Sequence, residues 1–578
     1  MPFTTRPVLT GIHGVVTAGH YLAAAAGFRM LEKGGNAIDA GVAAGFAVNV
    51  LEPQSNGIGG EAPILVYSAR QKRVYAINGQ GYAPKAATID WFKSQGISLI
   101  PGDGLLSATV PGAFGAWLTA LQHFGKLSLK DVLTPAIELT EEGFPMYSEL
   151  HNAIGNLADK FQDEWPSSAR VYLPHDRPPM VGELVRNLDW ANTFKAAIDV
   201  EIRNRHRGRE MAIEAARDYF YKGEIAERIV EFTQGTKIRD VSGQENYGLL
   251  APDDFQMYQT KVETPVTLSY RGYDVYKCNT WCQGAVFLQQ LSLLEGFDLS
   301  SMGHNSPDYI HTVVESAKLA FADREKYYGD PDFVAVPLNR LLSKAYAAER
   351  RGLIRAGQAS MDLRAGDSPP IELEPGESHP DVYTGDTTHL DAIDCEGNMI
   401  AATPSGGWIP SSPVIDGLGF PLGTRGQMFY LDANHANALA PRKRPRTTLT
   451  PSLAMKDGEP SMVFGTPGGD CQDQWTLQFF LNIVDFGMNL QEAIDAPNFH
   501  THHFPNSFYP HNADPGSAVL EGRIPEPVRV ELAERGHKIS VAGDWSHGKV
   551  LGIAFDSKTG VISAGASPRA QIAYAMGR

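Results

Sequence analysis

Tyr383-Thr384-Gly385-Asp386-Thr387-Thr388-His389-Leu390-Asp391-Ala392-Ile393-Asp394 is the stretch around which the rest of the chain is ordered. From Thr388 onward Leu390 and Ala392 are apolar, while His389 and Asp391 between them are polar. That period of two predicts a half-buried strand. Cys395-Glu396-Gly397-Asn398 is turn chemistry, with Gly397 able to take a positive φ at no steric cost. Met399-Ile400-Ala401-Ala402-Thr403-Pro404-Ser405 reads as the returning strand. With Glu396 and Gly397 at the tip, Cys395 pairs with Asn398 and Thr387 faces position 406, next to Ser405. Two hydroxyls and a Gly385-Asp386 lead-in then meet at one strand end.

A hydroxyl is a weak nucleophile until a base stands beside it. A threonine with a free α-amino group carries nucleophile and base in one residue. That amine titrates at about 7.7–8, close to the pH at which a general base works best. An internal threonine has no such amine, so Thr387 qualifies only if the Asp386–Thr387 bond is cut. Taken alone, Thr387-Thr388-His389 reads as an ordinary strand start, since short motifs match by chance. The rest of the chain decides between the two.

At 578 residues the chain exceeds one typical domain of about 100–200 residues, though an interlocked α/β body reaches this size. Its 43% apolar content and mean hydropathy of −0.22 are those of a globular protein. A net charge of −16 and a pI near 5.5 argue against nucleic acid or an anionic membrane as partner. No apolar run is long enough for a membrane helix, and the first residues lack the apolar core of a secretory signal. Four cysteines are too few for a disulfide framework; Cys278 and Cys282 lack a second close pair and read as buried thiols. The expected location is cytoplasmic.

Two apolar helices flank Gly34-Gly35: one from Tyr21 to Lys33, and one from Ala37 to Leu51 capped by Asn36. The second is apolar on nearly every side and should lie between layers. Gln54-Ser55-Asn56-Gly57-Ile58-Gly59-Gly60-Glu61 follows, leading to a strand at Ile64–Tyr67; it lacks the ending of a phosphate-binding loop. Residues 105–230 read as helical, with a basic patch at Arg203, Arg205, His206, Arg207 and Arg209 taken as a solvated face. Strands near 263–278 and a helix from Pro307 to Tyr328 come next, then an exposed connection over 355–380. Arg425 to Leu431 reads as a strand, and so does Met462-Val463-Phe464. The latter runs into Gly465-Thr466-Pro467-Gly468-Gly469-Asp470 before a helix from Trp475 to Phe486. Adjacent glycines there let backbone N–H groups point at a developing oxyanion, though a tight turn explains them equally well.

The chain resembles the gamma-glutamyltransferase family of N-terminal-nucleophile hydrolases in seven ordered motifs. They begin with Gly34-Gly35-Asn36-Ala37-Ile38-Asp39-Ala40, then Glu52-Pro53-Gln54-Ser55 with Gly57-Ile58-Gly59-Gly60, and Val110-Pro111-Gly112. Phe321-Ala322-Asp323-Arg324 with Gly329-Asp330-Pro331, Thr387-Thr388-His389, Lys443-Arg444-Pro445 and Pro467-Gly468-Gly469 complete them. The resemblance implies an αββα sandwich made as one precursor that cuts itself between Asp386 and Thr387. A large subunit, 1–386, and a small one, 387–578, would stay entwined as a heterodimer. It implies Thr387 as nucleophile, Ser405 in place of a threonine that bonds the nucleophile's amine, and Gly468 and Gly469 as the oxyanion hole. No cofactor or metal is implied.

The substrate side departs from the family pattern. The arginine that grips the γ-glutamyl carboxylate falls at Gln80, in Gln80-Gly81-Tyr82-Ala83-Pro84. The amine-binding asparagine is Gly407 and the acidic residue is Tyr430, while Gln427 is kept. Thr447 and Thr448 stand for the family's two serines and preserve their hydroxyls. A bidentate arginine–carboxylate contact and charge-assisted amine bonds each contribute roughly 1.5–3 kcal/mol. Losing both weakens γ-glutamyl recognition by about two orders of magnitude or more. Arg425 is either a replacement cation or a surface arginine. The altered pocket is similar to that of the oxamate amidohydrolase branch.

The expected function is therefore an acyltransferase-type amidohydrolase. It acts on a small amide whose carboxylate is held by Arg425, Thr447 and Thr448, with water or an amine as acceptor. The alternatives are true γ-glutamyl transfer or glutathione hydrolysis, and a processed but silent binding homologue. A zinc enzyme built on His500, His502, His503 and His511 is set aside, because these lie in a loop without an acidic residue at ligand spacing and read as surface or pocket-rim residues.

Overall fold

The computed structural model describes residues 3–373, 387–570 and 572–578. Its centre is a pair of antiparallel seven-stranded sheets, each with helices on its outer side, so the chain is a four-layer αββα sandwich. One sheet runs in the order Tyr574–Gly577, Gly14–Ala18, Leu390–Asp394, Met399–Ala402, Ile64–Ser68, Arg73–Asn78, Lys261–Glu263. The other runs Leu9–Gly11, Val561–Ala566, Leu551–Asp556, Glu459–Gly465, Ser452–Lys456, Tyr273–Lys277, Val266–Tyr270. Each sheet draws strands from both sides of residue 387, so neither half of the sequence owns a sheet. No helix among the described residues is long and apolar enough to cross a membrane.

Side-chain alternation builds the layers. On Leu390–Asp394 the even residues Leu390 and Ala392 pack with the helix layer, alongside Ile400 and Ala402 of the next strand. The odd residue Ile393 joins Met399, Ala401, Leu453, Val463 and Ile553 between the sheets. Every residue of the strand is buried, so the expectation of a half-buried strand is corrected. The polar members His389 and Asp391 face a second sheet instead of water. Helix Ala37–Leu51 is buried along its entire length, as its unbroken apolar sequence requires. Asn36 accepts from the Ile38 and Asp39 N–H groups, while Asp39 accepts from the Asn36 N–H, a reciprocal cap.

The hairpin register differs from the expected one by a single position. Leu390 pairs with Ala402 and Asp391 with Ala401, so Thr387 faces Ser405 itself. The cause is a three-residue loop, Cys395-Glu396-Gly397, closed by the Asp394 N–H on the Asn398 carbonyl at 3.2 Å. Gly397 takes φ 82° there, the left-handed residue such a loop needs.

Arg425–Met428 forms a 3₁₀ turn, not the expected strand. Part of the expected exposed connection is also ordered: Asp362–Leu363 pairs with Ile371–Glu372, and Leu363 is buried. Residues 374–380, together with Gly385 and Asp386, lie outside the described residues. Cys278 and Cys282 are free buried thiols, as expected. Of the basic patch, Arg203, Arg205, His206 and Arg207 are exposed, but Arg209 donates to the Leu121 and Leu127 carbonyls.

Candidate active site

Three strand ends converge at one end of the inner sheet. Ser405 bridges Thr387 on one side and Glu61 on the other, its N–H donating to the Glu61 carbonyl at 3.0 Å. The Thr387 and Ser405 hydroxyl oxygens stand 3.1 Å apart. Arg425 lies across both neighbours: Nη2 donates to Ser405 Oγ at 2.6 Å, and Nε donates to the Glu61 carboxylate. The guanidinium is 1% exposed and stacks on Trp408 and Phe508, so it is no surface arginine. Its Nη1 has no hydrogen-bond partner among the described residues. Burial pushes the Glu61 carboxyl above its usual range, with the Arg425 charge opposing.

The neighbouring side chains hold this geometry. Thr388 Oγ1 donates to Glu52 at 2.7 Å. His389 sits between Thr403 Oγ1 at 2.9 Å and Asp391 Oδ1 at 2.8 Å, and Thr17 donates to the other Asp391 oxygen. Burial raises the Asp391 carboxyl, with His389 opposing. Thr387, Thr388, Glu52, Lys549 and Pro467 line one narrow cleft. Pro467 and Lys549 also line a larger cavity of about 440 Å³ that holds Gly468, Gly469, Cys471, Trp475 and Phe508. Phe508 joins the Arg425 stack to this cavity. Gly468 has φ 126°, and a Cβ there would lie 2.1 Å from the Trp475 ring, so the turn admits only glycine.

Among the expected substrate residues, Gln427 donates to the Gly102 carbonyl at 2.7 Å and accepts from the Tyr509 N–H at 3.2 Å. Both ends of its amide are engaged by backbone. Thr448 Oγ1 is buried without a partner among the described residues, and the Thr447 hydroxyl accepts from the Leu449 N–H at 3.4 Å. The Thr447 carbonyl accepts from Gln283, whose side chain meets Arg324, and Arg324 pairs with Asp470 beside the glycine turn. Gln80 is buried, its Oε1 unpartnered among the described residues, and its predecessor Gly79 accepts from the Ala62 N–H, next to Glu61. Tyr430 donates to Glu325 at 3.2 Å between the rings of His435 and His511. Thus Thr387, Ser405 and Arg425 are brought together, while Thr447 and Thr448 belong to the glycine-turn side.

Sequence reasoning missed Glu61, quoted only as the end of a glycine-rich loop. A carboxylate after two glycines carries no signal of an arginine 364 positions away. The four histidines set aside also separate. His500 is buried and meets half-buried His502. His503 is engaged by Gly516 and Asp362, and His511 stacks on Tyr430.

A four-layer αββα sandwich with a threonine at the end of a central strand defines the class of N-terminal-nucleophile hydrolases. A family model described as gamma-glutamyltranspeptidase matches residues 23–577. The chain belongs to that family and is a hydrolase within it. The glutathione hydrolase-like YwrD proenzyme of Bacillus subtilis (strain 168) is 33% identical over 567 residues, covering 97% of both chains. A solved structure of LmbA2991HD is 43% identical, covers 100% of both chains and has a TM-score of 0.93. The crystal structure of a cephalosporin acylase from Bacillus halodurans is 32% identical, with a TM-score of 0.85, over 100% of this chain and 98% of that one.

Proposed function

We propose that this hydrolase is a self-processing threonine amidohydrolase that cleaves a small carboxylate-bearing amide through an acyl ester on Thr387. The observation that carries the reading is the hydroxyl pair of Thr387 and Ser405, 3.1 Å apart and backed by Arg425. Cutting before Thr387 yields subunits 1–386 and 387–578, held together by sheets that draw on both. The freed α-amine takes the Thr387 hydroxyl proton and the oxygen attacks the amide carbon. Backbone N–H groups at Gly468 and Gly469 stabilise the oxyanion. The amine proton then passes to the leaving nitrogen as the C–N bond breaks, and water or an amine releases the acyl group from the ester.

Arg425 Nη1 is a buried donor without a partner among the described residues and suits a carboxylate on the substrate, while the Thr448 hydroxyl is a second such donor on the glycine-turn side. Because Glu61 shares the Arg425 charge, the arginine offers a directed hydrogen bond more than a free cation. The acylase among the similar structures supports an amide other than γ-glutamyl. A second reading, glutathione hydrolysis, is favoured by the name of the Bacillus subtilis relative. Gln80, Gly407 and Tyr430, in place of the family's gripping residues, weigh against it.

The decisive experiment pairs processing with activity. Purified wild-type protein should run as two fragments, the smaller starting at Thr387, and Thr387→Ala should run as one inactive chain. A screen of oxamate, γ-glutamyl, acyl-amino-acid and β-lactam side-chain amides then ranks substrates. Two fragments from the variant, or an active wild-type protein with no N-terminus at Thr387, overturns the proposal.

A further inference from the structure

The cavity that holds the Gly468-Gly469 turn is also lined by a second cluster. Cys471 ends the 3₁₀ turn Gly469–Cys471, His500 ends the short strand Phe499–His500, and His502 follows two residues later. One ligand atom from each of these three residues lies within 4.8 Å of the others. The Nε2 atoms of His500 and His502 are 3.0 Å apart. Two imidazole nitrogens on a zinc ion at about 2.0–2.1 Å in tetrahedral geometry stand roughly 3.3 Å apart, so the pair is nearly at ligand spacing. We propose that Cys471, His500 and His502 form a binding site for a zinc-class divalent ion beside the glycine turn.

All three residues line the same cavity, so an ion can reach them. His500 Nδ1, across the ring from Nε2, is buried and has no hydrogen-bond partner among the described residues. His547 completes the surroundings, its ring 4.6 Å from that of His500 and stacked on Trp475, with Nδ1 likewise unpartnered among the described residues. One thiolate and two imidazoles form a soft-to-borderline set that favours zinc or copper over magnesium or calcium. On binding, the Cys471 thiol proton leaves to solvent and a sulfur–metal bond replaces it. His547, which lines the same cavity, or an exchangeable ligand would supply a fourth donor. The site does not depend on the hydrolase reading, because none of its residues takes part in the steps assigned to Thr387.

The test is titration of chelator-treated full-length protein with Co²⁺ as a spectroscopic stand-in for zinc. One equivalent should develop visible bands of tetrahedral intensity and a thiolate-to-cobalt charge-transfer band, both removed by added Zn²⁺. Cys471→Ser should abolish the charge-transfer band. His502→Gln, at a half-buried position that tolerates change, should weaken binding by about 10–100-fold or more. Cys395→Ser, at the exposed thiol, should change nothing. Absence of a charge-transfer band in the wild type, or its persistence in folded Cys471→Ser, overturns the inference.

Discussion

Arg425 donates to the Ser405 hydroxyl through Nη2 while its Nε is held by Glu61, so the serine facing Thr387 is fixed from behind by a buried ion pair. An arginine cannot accept a hydrogen bond, so this contact occupies a lone pair of Ser405 Oγ and constrains where its proton points. The two carbons between Glu61's backbone, paired with Ser405, and its carboxylate suffice to reach around to the same guanidinium. Sheet register and ion pair therefore orient one hydroxyl together.

Removing both partners of this ion pair should cost less than the two single removals added together. Arg425→Ala or Glu61→Ala leaves a buried charge uncompensated and should cost about 3–5 kcal/mol of stability. The double variant should lose less than the sum, because the pair is coupled. Thermal unfolding of the three variants checks this. Strict additivity would mean that the two side chains act independently, contrary to their contact. Arg425→Lys keeps the charge but cannot serve both Glu61 and Ser405, and amide hydrolysis should fall by about tenfold or more in folded protein.

The scaffold was legible because its signals are local. The apolar run of Ala37–Leu51, the Asn36 cap and the Gly397 turn each declare themselves within a few residues. Thr387 and Ser405 were legible because one hairpin joins them. What failed depended on partners distant in sequence. The half-buried reading of Leu390–Asp394 could not anticipate a second sheet supplied by residues 452–465 and 551–566. Arg425 was ambiguous because its partner Glu61 lies on another strand end, and the Gly-rich stretch preceding it looks like a loop. The one-position register error arose from the loop length: a two-residue tip and a three-residue tip share the same turn residues. His500 and Cys471 meet only once the strand order brings their segments to one cavity.

Gly397→Ala tests the left-handed conformation at the loop. Its φ of 82° is disfavoured for alanine, and the new Cβ would meet the Phe555 ring at 3.1 Å. The expected loss is about 1 kcal/mol or slightly more, read by denaturant unfolding. A neutral or stabilising effect would show that the loop does not hold Gly397 in the left-handed region.

Gly468→Ala should act on turnover. The substitution pushes a methyl into Trp475 and strains a backbone that only glycine adopts, so the turn must move. With the turn in its proposed role as oxyanion hole, misplacing a donor costs about 10²–10³ in kcat. KM should change far less, because the ground-state carbonyl does not need the turn as the transition state does. A variant with normal kcat and raised KM would assign the turn to substrate binding instead.

The last prediction concerns acid stability and centres on His503. Its Nδ1 accepts from the Gly516 N–H at 2.9 Å and its Nε2 donates to the Asp362 carbonyl at 3.0 Å, so the neutral ring is satisfied at both ends. A second proton would have to sit on Nδ1, facing a donor. Burial lowers its pKa to about 4. An unfolded histidine takes up its proton near pH 6.5. Between those values the unfolded state binds more protons than the folded one, so stability rises with pH across this window. The contribution is fully present above about pH 6.5 and is lost progressively as the pH falls toward 4, at up to about 1.4 kcal/mol per unit. His503→Asn, whose side-chain oxygen can still accept from Gly516, should reduce that slope even if it lowers stability at neutral pH. Denaturant unfolding of both proteins at half-unit steps from pH 4.5 to 7.5 reads the slope directly. Equal slopes would show that His503 takes up no net proton on unfolding in this range, which its buried, doubly bonded ring does not allow.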